Sequence, residues 1–457
     1  MSKLWRRATH IGLFPFLLLL LTSPARALTL EQALEETLLH NPEILTAKDR
    51  IQQAIGYRTE LRSVIMPRFG VDVAAGVAAT TGGLLANRGP ELSLTETRPT
   101  NFALAHARLV QSVFDARIPV AWARGDVGVL MAQQEVHVRA NAAMHRTRIT
   151  FYQAQFQREL AALLAESKTS LLANLKNEEE RKAAGISSRA EVVRAELVVR
   201  AVDPFLLNAK GAYRQAQIAL ARAMGRPLGP DDTLPVPDGE LKFQTADFDL
   251  ATETAAALER RPDLRFLRET IRSLKLEKRA MQARYLPVVT FAAKEQGIPV
   301  GGISGTSASE SVTSKREITT EYEFIEQFTW QVIDNGEITG AVRREQKQYE
   351  IGQVLLEKLE QQVPRDLMRI QQEFQSIEAR RKAHRAILAD AEKSVELVGA
   401  TIKAGAATQL DYRNAQRALI EVRVGILQTA FQQSIAIAEW DQAAGRYLQF
   451  SVQSDER

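Results

Sequence analysis

Between residues 320 and 332 the chain alternates. Thr320, Tyr322, Phe324, Phe328, Trp330 and Val332 fall on one side, and Glu321, Glu323, Gln327, Thr329 and Gln331 on the other. A period of two predicts a strand with an aromatic-rich face and a polar face. Glu326 interrupts the apolar side. Residues 288–294, rich in Val, Thr and Phe, predict a partner strand. Residues 69–79 and 101–114 hold the same places earlier in the chain. Their alternation is weaker and alanine-rich, and His106 and Arg108 sit awkwardly on it. Polar loops rich in Gly, Ser and Thr, 80–100 and 297–319, join each pair.

The remainder reads as helix. From Ile118 to Gly185 only Pro119 interrupts, where a first-turn proline is tolerated. At ~1.5 Å per residue this predicts a rod on the order of 100 Å. Residues 338–404 predict a second rod, with Pro364 as a kink. Ile149, Tyr152, Phe156 and Leu163 in the first rod recur at spacings that suit coiled-coil packing. So do Leu359, Val363, Leu367, Ile370, Phe374 and Ile377 in the second. A soluble helical bundle explains the rods equally well; the strands favour a membrane barrel, where lipid-facing and lumen-facing residues alternate.

The order of elements occurs twice. His40-Asn41-Pro42-Glu43-Ile44 matches Arg260-Arg261-Pro262-Asp263-Leu264, Val113-Phe114-Asp115 matches Val332-Ile333-Asp334, and Gly225-Arg226 matches Gly445-Arg446, at offsets of 219 to 220 residues. The predicted organisation is a signal peptide over 1–27, repeat 1 over 28–226 and an inter-repeat linker over 227–250. Repeat 2 covers 251–447, and 448–457 form a C-terminal tail. The proline-rich stretch 227–239 marks the linker.

Residues 1–27 have a basic start (Lys3, Arg6, Arg7), a short apolar run and Ala25-Arg26-Ala27, the pattern of a cleaved secretory signal. They carry four of the 59 basic residues and none of the 55 acidic ones, so the chain beyond is balanced. That removes the electrostatic motive for nucleic-acid binding. With no cysteine, a disulfide framework is excluded. No later stretch has the length and apolarity of a transmembrane helix. Four strands cannot close a barrel alone, and open edges cannot face lipid, so several copies must share one.

Leu28-Thr29-Leu30-Glu31-Gln32-Ala33-Leu34 through Asn41-Pro42-Glu43, the junctions Gln111-Ser112-Val113-Phe114-Asp115 and Gln331-Val332-Ile333-Asp334-Asn335-Gly336, and the turns 185–196 and 405–416 together resemble the TolC-type outer-membrane efflux family across essentially the whole mature chain. The resemblance implies a mostly α protein with a small β part, built from two tandem helix-strand-strand-helix-helix repeats. Each chain of a homotrimer would lend four strands to a 12-stranded transmembrane β-barrel, continued by a long coiled-coil α-helical barrel. It implies a passive exit duct of a tripartite efflux or type I secretion system in a Gram-negative outer membrane. A periplasmic adaptor (membrane fusion protein) and an inner-membrane transporter of the RND, ABC or MFS type would be its partners.

The hairpin tips are the candidate gate and adaptor contact: Gly185, Glu191 and Arg194 in repeat 1, and Gly405, Asp411 and Asn414 in repeat 2. The glycines permit tight reversals. An acid near the start of a return helix is favoured by the dipole, and three copies would also make a carboxylate ring. Asn414 stands where the resemblance implies a second acid, and Ala407 where it implies a basic latch. Tyr322, Phe324, Phe328 and Trp330 are expected to face lipid. No catalytic, cofactor-binding or metal motif is present, and His137 and His145 read as rod-surface residues. The run 178–182 reads as a solvated helix face. The rival reading is a periplasmic coiled-coil scaffold or adaptor that does not span a membrane.

Overall fold

The computed structural model describes residues 27–80, 98–229, 233–246, 248–300, 317–403 and 406–447. Residues 1–26, expected as most of a signal peptide, most of both strand-joining loops and residues 448–457 lie outside the described residues. The first pass runs α1 (Leu30–His40), α2 (Pro42–Ser63), β1 (Arg68–Thr80), β2 (Arg98–Asp115), α3 (Arg117–Ala183) and α4 (Arg189–Met224). The second runs α5 (Leu250–Arg260), α6 (Pro262–Gln282), a 3-10 turn at Ala283–Tyr285, β3 (Val288–Val300), β4 (Glu317–Thr329), α7 (Glu337–Lys403) and α8 (Gln409–Ala443). The fold is two tandem repeats of one helix-strand-strand-helix-helix pattern, mostly helical with a small sheet.

The first helix of each repeat is broken in two by Pro42 and Pro262, which take the first turn of α2 and α6. Proline pushes the residue before it out of the helical region. Asn41 is accordingly extended, and its side chain accepts from the Glu43 N–H at 2.9 Å. Arg261 takes the same conformation but has no acceptor to cap with. Pro364 does not end α7, which is helical throughout its 67 residues.

The described residues fall into two compact units. One comprises Met1–Thr37, Arg146–Phe243 and Arg381–Ser434. In it α3 meets α8: Phe156 stacks on Phe431 at 4.9 Å, and Asn174 donates to Gln416 at 2.7 Å. The linker is strapped down rather than loose. The Leu28 N–H donates to Val236 O at 2.8 Å, and the Asp238 N–H returns to Leu28 O at 2.7 Å. Gln217 donates to Pro235 O at 2.9 Å, and the Arg158 guanidinium donates to the carbonyls of Pro237 and Gly239. Glu159 accepts from the Leu241 N–H at 2.8 Å. Burial pushes its carboxyl above the ordinary range, against the pull of that bond and of Arg158.

Removing Arg158 strips two charge-assisted bonds from this strap. With hydrogen bonds to a charged group worth about 1.5–3 kcal/mol each, Arg158→Ala is expected to speed chymotryptic cleavage around Leu241 and Phe243 by at least about tenfold. Unchanged nicking would mean the strap is held by its other bonds.

The second unit comprises Leu38–His145, Gln244–Arg380 and Ile435–Arg457. It holds the sheet and an apolar core. Leu264, Val363, Leu367, Trp440 and Ala444 are fully buried there, and Phe248 sits 4.2 Å from the Trp440 ring. Gly445 (φ +69°) caps α8, and a Cβ there would meet Arg261 N at 3.2 Å. The arginines that follow the two matching glycines do the same work in each repeat. Arg226 forks onto Glu36 of α1 at 2.6 and 3.0 Å. Arg446 reaches Glu253 of α5 at 2.7 Å.

His137 and His145 are half-buried rather than surface residues. Burial, then the nearby Arg265 charge, lowers the pKa of His137, while His145 lies edge-on to Tyr447 at 6.3 Å.

Candidate functional site

The four strands form one antiparallel sheet in the order β1-β2-β3-β4. Residues directly opposite one another share a face, so the register assigns each side chain. Phe69, Val71 and Val73 pair with Leu109, Ala107 and Ala105, and Leu109 pairs with Ala293, which pairs with Phe324. Val289 and Phe328 lie on the same face. Nothing in the described chain covers it: Phe69 is 70%, Val73 75% and Phe324 73% exposed. Glu295 and Glu326 break the apolar surface, opposite Tyr322 and Phe291.

The other face is polar. Arg108 pairs with Lys294, and Lys294 pairs with Glu323, with 3.5 Å between their charged atoms. Asp72 is opposite His106. The two residues that fitted poorly as part of an apolar strand therefore lie on the polar face. A bulge explains the mismatch. Ser112 pairs with Thr290 but Phe114 with Val289, leaving Val113 as the extra residue. The bulge turns Phe114 onto the apolar face and inverts the phase of everything before it.

Tyr322, Phe324 and Phe328 lie on β4 with exposed side chains, as the pattern predicts. Trp330 does not. β4 ends at Thr329, and the Trp330 indole N–H donates to Tyr285 O at 3.1 Å, on the last residue of the 3-10 turn. The ladder partner of Thr329 is Val288, the first residue of β3, so Trp330 and Val332 have no strand opposite them. At its other end β4 starts at Glu317 and β3 runs on to Val300, shortening the loop expected over 297–319.

At the first hairpin tip Gly185 takes φ +76°. Its N–H bonds to Lys182 O at 3.0 Å, and the Ile186 N–H bonds to Arg181 O at 2.9 Å. This left-handed reversal satisfies the orphan carbonyls of α3. Ser188 then caps α4, accepting from the Glu191 N–H at 3.2 Å. Beneath the turn, Glu178 is only 4% exposed and accepts from Ser187 Oγ at 2.8 Å. The acidic run is therefore not uniformly solvated, because the turn folds back over its first carboxylate while Glu179 and Glu180 stay exposed.

Gly405 lies outside the described residues. Beyond it, the Ala406 N–H bonds to Thr401 O at 2.9 Å, the counterpart of the first tip's bond to Arg181. Thr408 and Asp411 then close a reciprocal box. The Asp411 carboxylate accepts from the Thr408 N–H at 2.9 Å and from its hydroxyl at 2.6 Å, and the Asp411 N–H returns to Thr408 Oγ1 at 3.3 Å. The Thr408 hydroxyl and N–H hold the Asp411 carboxyl below the ordinary range. Asn414 is exposed, and Ala407 is half-buried in the turn.

Glu191, which matches Asp411, is used differently. It accepts from Arg194 at 2.5 Å and from Arg413 at 3.1 Å. Arg413 belongs to α8, 222 residues away, and its side chain is only 12% exposed. The pair ties one hairpin to the other. Partial burial pushes the Glu191 carboxyl up, but the hydrogen bond and charge of Arg413, then Arg194, outweigh it and leave the pKa lowered. Arg413 was not legible as a site residue: the matching position in repeat 1 is Val193, and nothing local marks it.

Residues 255–446 match the profile of the family described as outer membrane efflux protein. Over that stretch, less than half of its length, the chain is similar to the outer membrane efflux protein family. Its fold agrees with that of solved channels. VceC of Vibrio cholerae superposes with a TM-score of 0.71 at 15% identity, over 91% of this chain and 96% of that one. CmeC of Campylobacter jejuni gives 0.73 at 15% identity, over 91% and 85%. The open state of MtrE from Neisseria gonorrhoeae gives 0.71 at 15% identity, over 91% and 88%. Identities this low establish the fold alone. No curated protein matches the sequence.

Proposed function

We propose that this chain is one subunit of a homotrimeric exit duct of the outer membrane, each chain lending four strands to a 12-stranded barrel. The observation that carries the reading is the uncovered apolar face of a sheet whose two outer strands, β1 and β4, each keep one edge unpaired among the described residues. Such edges cannot face lipid, where each unsatisfied backbone group costs several kcal/mol. Copies of the chain pairing β4 to β1 would close them. A periplasmic scaffold offers no account of Phe69, Val73 and Phe324 standing bare. The duct would receive cargo from an inner-membrane transporter through a periplasmic adaptor that meets the hairpin tips. The tips serve as its gate, with Glu191 and Arg413 fastening the two hairpins of a subunit while Asp411 secures its own helix start.

The test is reconstitution. Purified protein in detergent should have three times the chain mass and give discrete single-channel currents in planar bilayers. A monomer that stays dissolved without detergent would refute the reading. The apolar face has its own test. An arginine near the bilayer midplane of a barrel strand costs about 2–4 kcal/mol, so Phe324→Arg should sharply reduce trimer recovered from outer membranes. Glu323→Gln, on the polar face, should not.

A further inference from the structure

Helix α6 exposes six positions: Arg265, Arg268, Arg272, Lys275, Arg279 and Gln282. Five are cations, spaced three and four residues apart. They form one straight stripe, about 21 Å from first cation to last at ~1.5 Å per residue. Like charges at these spacings repel, so the stripe costs the helix stability. The repeat supplies its own control. The matching positions of α2 are Leu45, Lys48, Gln52, Ile55 and Thr59, one cation in place of five. The shared architecture therefore does not require the stripe.

Contacts within the chain account for only part of it. The flanks of α6 are already used: Glu277 pairs with Arg124 of α3, and Ile271 and Leu274 pack against Gly352 of α7. Arg268 reaches Glu360 at 2.9 Å, Arg272 lies 3.7 Å from Glu269, and Arg265 donates to Glu259 O at 2.8 Å. Lys275 and Arg279 have no side-chain partner among the described residues.

We propose that this face of α6 is a docking strip for an acidic helix of another periplasmic protein. The argument for a helix is spacing: a three-four repeat averages 3.5 residues, the period at which a second helix stays in register along a left-handed pair. The argument for carboxylates is that four of the five cations are arginines, whose planar fork matches a carboxylate with two parallel bonds. A bilayer surface is flat, whereas the stripe extends along the helix away from the end that leads into β3.

The test uses the full chain in detergent and a labelled synthetic helix bearing glutamate at three-four spacing. The wild type should bind it at low salt and release it near 1 M, where the Debye length is about 3 Å. Lys275→Gln/Arg279→Gln removes two exposed pairs and no contact within the chain, so affinity should fall about fivefold with unfolding unchanged. Arg272→Gln alone should weaken binding less, and Lys48→Gln in α2 not at all. Equal binding by wild type and the double variant would overturn the proposal. So would binding to phosphatidylglycerol vesicles but not to the peptide. A shift in ion selectivity of the reconstituted channel with peptide binding unchanged would overturn it too, because the stripe would then line the conduit. The peptide assay needs no channel activity, so its failure is separable from failure of the exit-duct reading.

Discussion

Replacing Arg413 with alanine is expected to raise the open fraction of the reconstituted channel, roughly tenfold to a hundredfold on the closed-to-open equilibrium. The size follows from the bond lost: a hydrogen bond to a charged group contributes about 1.5–3 kcal/mol. Arg413 donates to Glu191 at 3.1 Å from a side chain only 12% exposed, so solvent screens the pair weakly. Glu191→Ala should act in the same direction. Because both substitutions remove one contact, the double variant should exceed either single one by little. Arg194, 64% exposed and on the same helix as Glu191, bridges nothing between hairpins, so Arg194→Ala should leave gating near normal.

The pH dependence has a definite sign. Glu191 has a lowered pKa in the folded protein, so its contribution is present above the ordinary glutamate value and is lost as pH falls through the lowered one. The closed state should therefore persist down to pH about 4, near the unperturbed glutamate value, and open only in stronger acid. Opening that begins near neutrality would point to a different group. Unaltered conductance in both single variants would remove this pair from the gate.

The duplication was legible because its landmarks are backbone punctuation. Pro42 and Pro262 break a helix wherever they occur, and Gly225 and Gly445 cap one, so matching residues report matching geometry. The apolar face of β4 was legible for the same kind of reason: period two survives for as long as the ladder is regular. β2 defeats that logic. Counting back by twos from Phe114 puts Arg108 and His106 on the apolar side. The extra residue at Val113 inverts the count, and only the pairing of Ser112 with Thr290 and Phe114 with Val289 reveals it.

The geometry of the hairpin tips was half legible. A small residue and an acid at each tip advertise a turn and a helix start, but not which acid is spent on its own cap. Asp411 reaches back to Thr408, whereas Glu191, one methylene longer, reaches outward to Arg413. That choice is made by a residue on another helix. No window on the local sequence contains it. The strapped linker is a similar case, since Arg158 is one arginine among many until the carbonyls of Pro237 and Gly239 meet it.

Trp440→Ala should cause the largest loss of stability of any single substitution considered, about 3–5 kcal/mol. The ring is fully buried among Ala257, Leu264, Val363, Leu367 and Ile370, with Phe248 against it. Truncation leaves a cavity that helices on several sides would have to collapse to fill. The indole also carries a liability. Its Nε1–H is buried with no hydrogen-bond partner in the described residues. An unsatisfied buried donor costs about 1–3 kcal/mol, so Trp440→Phe loses part of the packing but also removes that cost. The phenylalanine variant should therefore lie within about 1.5 kcal/mol of wild type. Denaturant unfolding of the detergent-solubilised protein, followed by far-ultraviolet circular dichroism, ranks the three. If phenylalanine proves as damaging as alanine, the indole N–H must have an acceptor, and the core is held by that bond as well as by its fit.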